Sequence, residues 1–260
     1  MESVPSGGTA PGGSRDRYQP GPRGYGLTVS NLREARFDTV VLDVDGTLVD
    51  SVYAHVWSWR EAFRRHGLDV PAWRIHRAIG MGGDRLVTAV TNAAVERTVG
   101  DQVRAAQKEV YRNLADHLVP TPGAEDLLSG CKQHGLKVAV ASSGSREDTE
   151  AAIVLLEGRH HIDVIVTGDD TDATKPDTEP VQRALDRIEG ETALVVGDAT
   201  WDMESARRAG HAAVGLLTGG VGRGELLEAG AALVFEDPAE LAEALADLLG
   251  HASAGPSGTP

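Results

Sequence analysis

The sequence predicts an α/β fold: a parallel sheet covered by helices on both faces, with a helical module inserted after the first strand. Three observations predict it. Short apolar runs rich in Val, Ala and Leu alternate with helix-patterned segments along most of the chain. From Val52 to Val119 that rhythm stops, and only helical patterns appear. The chain has 260 residues, 41% of them hydrophobic, enough for one sizeable core and a smaller module.

Each element follows from its local pattern. Residues 1–35 are rich in Gly, Pro and Ser with almost nothing to bury, and read as a disordered tail. The first strand is Thr39–Val44, "TVVLDV". "AHVWSWREAFRRHG", Ala54–Gly67, is amphipathic, with Val56, Trp59 and Phe63 near one face and Gly67 as terminator. Residues 52–119 form the inserted helical module, whose tryptophans Trp57, Trp59 and Trp73 read as its core. Strands then follow at Lys137–Ser142, Asp163–Gly168, Ala193–Asp198, Ala212–Leu217 and Ala231–Phe235, with helices at Asp177–Ile188 and Asp202–Gly210. Residues 36–51 and 120–250 make the sheet domain, and residues 251–260 are a second tail.

Composition removes whole classes of partner. A formal charge of −14 argues against a nucleic-acid or anionic-membrane surface, which needs clustered Lys and Arg. No apolar run approaches the roughly 20 residues of a membrane-spanning helix, and the first residues hold no continuous apolar signal region. Cys131 stands alone, so neither an internal disulfide nor a cysteine-rich metal site is expected. A cytoplasmic protein fits these features.

The chemistry concentrates at strand ends. In an open parallel sheet, ligands bind beyond the carboxyl ends of the strands. The first strand ends in Asp43 and Asp45, two residues apart and therefore on one side. The second ends at Ser142 and Ser143; alternation with Val138 and Val140 puts Ser142 on one face and Ser143 on the other. Lys175 lies in a loop after the third, and "VVGDATWD" brings Asp198 and Asp202 from the fourth. Carboxylates brought this close repel one another unless a cation neutralises them. An all-oxygen donor set suits Mg²⁺. Asp202 alone would as readily cap the helix that starts beside it.

With these residues in order, "DVDGTLVDS" resembles the first motif of the haloacid dehalogenase superfamily, and the later pieces follow in that family's order from about Phe37 to Leu249. The resemblance implies a Rossmann-like parallel-sheet core with an inserted α-helical cap domain. It matches Asp43 to the nucleophile and Asp45 to the general acid/base. Ser142 matches the second-motif hydroxyl with Ser143 its neighbour, Lys175 the third-motif lysine, and Asp198 with Asp202 the acidic fourth motif. It also implies Mg²⁺ held by Asp43, the Asp45 backbone carbonyl and Asp198, with Asp202 as a ligand or just behind one. Gly46 would permit the turn after the strand, and Thr47 would donate to the phosphate.

The implied activity is hydrolysis of a small phosphate ester through an aspartyl-phosphate, of phosphoglycolate or sugar-phosphate type. The oligomeric state is left open. Within the cap, His55 falls where several family members carry a hinge histidine, against the plainer reading of a surface histidine. "AIGMGGDRLV" offers Gly82 for close approach to substrate, with Arg85, and after it Arg77, to reach a second anion. Two departures stand out: Thr178 replaces a common third-motif proline, and Gly83 stands where β-phosphoglucomutase-like members carry a cap arginine. The second departure favours hydrolysis over a phosphosugar mutase. A non-catalytic metabolite- or protein-binding module is a further alternative, weakened because none of the motif residues is lost.

Overall fold

The computed structural model describes Leu32 and residues 35–249. The readings made for the two tails lie outside the described residues, with one exception: Leu32, inside the stretch read as having almost nothing to bury, is buried in the core beside Val40 and Leu42.

Six strands form one parallel sheet in the order β5-β4-β1-β6-β7-β8. They are β1 Thr39–Leu42, β4 Lys137–Ala141, β5 Val164–Val166, β6 Ala193–Gly197, β7 Ala212–Leu216 and β8 Leu233–Phe235. Every residue of β1, β6 and β7 is buried, because helices cover both faces. The two-residue side-chain period divides those residues cleanly. Val40, Leu42, Val138, Val140, Leu194 and Val196 join one cluster, while Val41, Ala139, Ala141, Ala193 and Val195 join the other. Helices α5 (Ala124–Gln133), α6 (Arg146–Val154) and α10 (Pro238–Leu248) pack on the first face through residues such as Leu127, Ile153 and Leu241. Helices α7 (Glu179–Ile188), α8 (Thr200–Ala209) and α9 (Arg223–Ala229) pack on the second through Val181, Met203 and Leu226.

The sheet strands stop one to two residues short of the polar tips expected for them. The backbone pairing nevertheless runs on, since the Asp43 N–H donates to the Val196 carbonyl (3.0 Å) and the Ser142 N–H to the Val166 carbonyl (3.0 Å). The tips are therefore anchored by the ladder while their side chains turn toward one site.

The inserted segment is helical: α1 Val52–Arg65, α2 Ala72–His76, α3 Gly83–Val90 and α4 Ala93–Arg112. It buries its own cluster, including Val56, Trp59, Phe63, Ile75, Leu86 and Val103. Asn92 caps α4, its side chain accepting from the N–H groups of Ala94 (2.9 Å) and Val95 (3.1 Å). Of the three tryptophans expected in this core only Trp59 is buried; Trp57 and Trp73 face out at 58% and 67% exposure. Leaving and returning, the chain passes through a small antiparallel pair, β2 Val49–Asp50 with β3 Val119–Pro120. Two residues per strand show no alternation, which is why the sequence pattern does not disclose it. No described helix is long and apolar enough to cross a membrane.

Candidate active site

The tips of β1 and β6, neighbours in the sheet, supply the acids. Asp43 and Asp198 are 5% and 3% exposed, and Asp202, in the first turn of α8, is 1% exposed. Each places a carboxylate oxygen within 4.8 Å of the other two. Gly46 makes the turn after β1 with φ of 78°, a left-handed conformation that glycine adopts without steric cost. A Cβ there would fall 2.5 Å from Asp198 Oδ2, so close approach demands glycine as much as the dihedral does.

Lys175 enters from the segment between β5 and α7. Its Nζ lies 2.7 Å from Asp43 Oδ1 and 2.8 Å from Asp202 Oδ1, with only 3% of the residue exposed. Burial opposes its charge, but the two carboxylates hold its pKa above the ordinary lysine value, so the ammonium persists. Burial pushes Asp43 up to about 7; Lys175 opposes this and Asp202 and Asp45 add to it. Asp198 is also raised well above the carboxylate range, by burial first and then by Asp202 and Asp43. Once all three carboxylates ionise, one ammonium leaves two negative charges unbalanced in a buried, all-oxygen site, and that donor set fits a hard divalent cation.

Asp45 has its own partner. His55, in α1, places Nε2 3.0 Å from Asp45 Oδ1, and the Ser51 hydroxyl donates to the same oxygen at 2.5 Å. Burial alone would raise the Asp45 carboxyl, yet His55 and Ser51 hold it below the usual range, while Asp45 in turn raises His55 against its own burial. The imidazole stacks on Tyr111 (4.0 Å between centroids, 11° between planes), and its Nδ1 lies 3.4 Å from Gln107 Nε2. Thus the cap reaches Asp45, the residue expected as general acid/base, directly, and His55 is no surface histidine.

Other expected residues land differently. Thr47 is fully buried, and its hydroxyl donates to Asp198 Oδ1 (2.9 Å); it braces the acid and is not free for a phosphate. Ser142 is 2% exposed and accepts the Gly144 N–H at 3.0 Å, whereas Ser143 borders the cavity while its own hydroxyl is buried and lacks a hydrogen-bond partner among the described residues. Of the roles weighed for Asp202, the one at the helix start is present, and the residue also pairs with Lys175. Its Oδ2 accepts the Ala199 N–H (3.1 Å) at the start of α8, and its Oδ1 holds Lys175.

Above the acids lies a cavity of about 280 Å³ between sheet and cap. Gly82 and Gly83 line it, and the Gly82 N–H donates to Thr174 Oγ1 (3.2 Å), the neighbour of Lys175. Arg85 does not line it: its guanidinium sits 3.8 Å from Asp177 Oδ2, and Arg77 pairs with Glu225 at 3.2 Å on another surface. Helix α4 furnishes what sequence reasoning missed, namely Arg104, Gln107, Lys108 and Tyr111 along the cavity wall. One signal was available. Gln107 interrupts the stripe Val103, Val110, Tyr111 at helical spacing, and a polar residue on a buried face asks for a partner.

Comparison with known proteins agrees with this geometry. A family model described as haloacid dehalogenase-like hydrolase matches residues 40–216. The chain is 29% identical over 196 residues to a validoxylamine A 7'-phosphate phosphatase of Streptomyces hygroscopicus subsp. limoneus, covering 70% of this chain and 86% of that one. It is 31% identical over 219 residues to a phosphoglycolate phosphatase of Rhodospirillum rubrum, covering 78% and 89%. A hydrolase crystal structure from Pseudomonas syringae superposes with a TM-score of 0.75 at 34% identity, covering 80% of this chain and 98% of that one. A β-phosphoglucomutase structure from Clostridium difficile gives a TM-score of 0.72 at 18% identity, covering 83% and 98%, a likeness of fold alone.

Proposed function

Since the chain belongs to the haloacid dehalogenase-like hydrolases, we propose that it is a Mg²⁺-dependent phosphatase of a small phosphorylated metabolite, of sugar-phosphate or phosphoglycolate type. It is an enzyme of the phosphoric monoester hydrolase class. The observation that carries the finer reading is the Lys175–Asp43 pair, 2.7 Å apart, within the acid cluster that meets a cavity of about 280 Å³ through Asp43. A space of that volume is on the scale of a small-metabolite site.

The residues divide the work. Asp43 attacks phosphorus through a carboxylate oxygen; the new O–P bond forms as the ester O–P bond breaks, giving an aspartyl-phosphate. Asp45 and His55 hold one proton between them across 3.0 Å, and Asp45 hands it to the departing oxygen. Asp45 then takes a proton from the water that attacks the intermediate, restoring Asp43. Lys175 keeps Asp43 oriented and faces the charge that builds on the phosphoryl oxygens. Ser142, whose hydroxyl accepts the Gly144 N–H and keeps its own proton to donate, would hold that group, with Ser143 beside it at the cavity border. Mg²⁺, held by Asp43, the Asp45 carbonyl and Asp198, would supply the positive charge that lets an anionic nucleophile meet an anionic phosphate. Asp202 anchors Lys175, and Thr47 anchors Asp198. Gly82 ties the cap to Thr174 beside Lys175.

A mutase reading is not favoured, because Gly83 carries no side chain, Arg85 is drawn to Asp177, and Arg104, which packs against Gly83 on the cavity wall, is paired with Glu96 and Asp101. The test is phosphate release from sugar phosphates, phosphoglycolate and nucleotides with and without Mg²⁺, using Asp43→Asn as control. Release that disappears in the variant and after chelation supports the assignment. Interconversion of sugar phosphates primed by a bisphosphate, without net release, refutes it. Full activity in Asp43→Asn removes the nucleophile.

A further inference from the structure

The turn Leu217–Gly219, which follows β7, lies between the acid cluster and the cap. On its inner side Gly219 presses on Asp198 so closely that a Cβ there would fall 1.9 Å from Oδ2. The Thr218 hydroxyl donates to the carbonyl of Gly46, the other residue packed against Oδ2. On its outer side the cap takes hold. His76, the last residue of α2, places Nε2 2.7 Å from the Gly219 carbonyl oxygen. A carbonyl only accepts, so Nε2 carries the proton and donates it. Tyr53 of α1 stacks on the His76 ring (5.5 Å, 4°), and the absence of a side chain at Gly220 makes room for the Tyr53 hydroxyl, which a Cβ would meet at 2.6 Å.

This contact differs from the other cap-to-core links. Arg77–Glu225, Arg85–Asp177 and Arg112–Glu147 join exposed side chains, Gly82–Thr174 lies on the lysine side of the cavity, and His55 ends on the Asp45 side chain. His76 ends instead on the backbone that walls Asp198. The Asp198 carboxylate is wedged by Gly219 and Gly46 on one oxygen and held by Thr47 on the other. If the turn relaxes outward, Oδ2 is free to rotate away from the cluster.

We propose that His76 is a positioning residue through which the seated cap holds Asp198 in its cation-binding pose, so that metal affinity depends on the cap contact. This rests on the reading of the acid cluster as a Mg²⁺ site. The readout is therefore binding of MgCl₂ alone to the full chain by titration calorimetry, without substrate or turnover. His76→Ala should weaken Mg²⁺ binding about fivefold, the worth of one hydrogen bond. His76→Gln, whose amide reaches as far as Nε2, should restore affinity to within about twofold of wild type. His76→Asn, with a donor too short to reach Gly219, should fall with the alanine variant and replaces it if that variant does not fold. Arg77→Ala breaks a neighbouring cap contact without touching the turn and should bind Mg²⁺ as wild type does. Wild-type affinity in His76→Asn, or an equal loss in Arg77→Ala, overturns the inference. Absence of Mg²⁺ binding and of phosphatase activity in the wild type instead overturns the reading beneath it.

Discussion

Replacing Lys175 by methionine tests the electrostatic construction of the site most directly. The ammonium is 3% exposed and stands 2.7 Å from Asp43 Oδ1 and 2.8 Å from Asp202 Oδ1. At such separations, and an effective permittivity of about 20, each pair contributes about 6 kcal/mol of Coulomb attraction. Taking the ammonium out of water offsets several kcal/mol of that, and loss of one member of a buried pair costs a net of about 3–5 kcal/mol because the other charge is left uncompensated. Lys175→Met should therefore lower the unfolding free energy of the metal-free protein by that amount at pH 8. The penalty should shrink at lower pH. Asp43 has a folded pKa raised from 3.8 to about 7, so its contribution is fully present below about pH 4 and is lost as pH rises through 7. Without Lys175 the carboxyl is raised further, so protonation at pH 5 removes the charge that the lysine had balanced. Urea denaturation of both proteins in chelator at pH 5 and pH 8 measures this. A loss below about 1 kcal/mol at pH 8, or one of equal size at both pH values, refutes the reasoning.

Three further outcomes follow from the same geometry. Thr47→Val removes the hydroxyl that braces Asp198 at 2.9 Å while keeping its shape; Mg²⁺ affinity should fall about five- to tenfold in a calorimetric titration, and unchanged affinity would show the bond to be idle. Mg²⁺ binding should release protons and tighten as pH rises through about 7, because Asp43 and Asp198 are raised and must ionise to hold the ion. Titrations in buffers of different ionisation enthalpy count those protons, and a count of zero at pH 6 would contradict the raised values. Gly219→Ala should abolish phosphatase activity without unfolding the protein, since the new methyl would sit 1.9 Å from Asp198 Oδ2; near wild-type turnover with normal circular dichroism would show that the turn yields easily.

The division between sequence and structure follows physical lines. Val40–Leu42, Val138–Val140 and Ala193–Val196 carry the apolar runs that only a doubly covered parallel strand explains, so the sheet was legible from local pattern. Asp43 and Asp198 were legible because short-range motifs place them at strand ends, where the open sheet gathers its ligands, and Lys175 because its motif follows in order in the loop after β5. What local pattern could not carry was the partner of each side chain. That Thr47 turns to Asp198, that Asp202 spends one oxygen on α8 and the other on Lys175, and that Ser143 lines the cavity while Ser142 lies beneath it all depend on contacts between distant segments. The cap shows the same limit. Arg85 and Arg77 had the right chemistry to grip an anion, but the tertiary arrangement gives them Asp177 and Glu225, and it sets Gln107 and Tyr111 around His55 instead. Sequence alone thus determined the layered α/β fold, the helical insertion and the acids at the strand tips, because period and motif are local properties. The tertiary structure alone decided which groups are braced, which residues border the cavity and how the cap reaches the acids, because hydrogen bonds and burial are set where chain segments far apart in sequence meet.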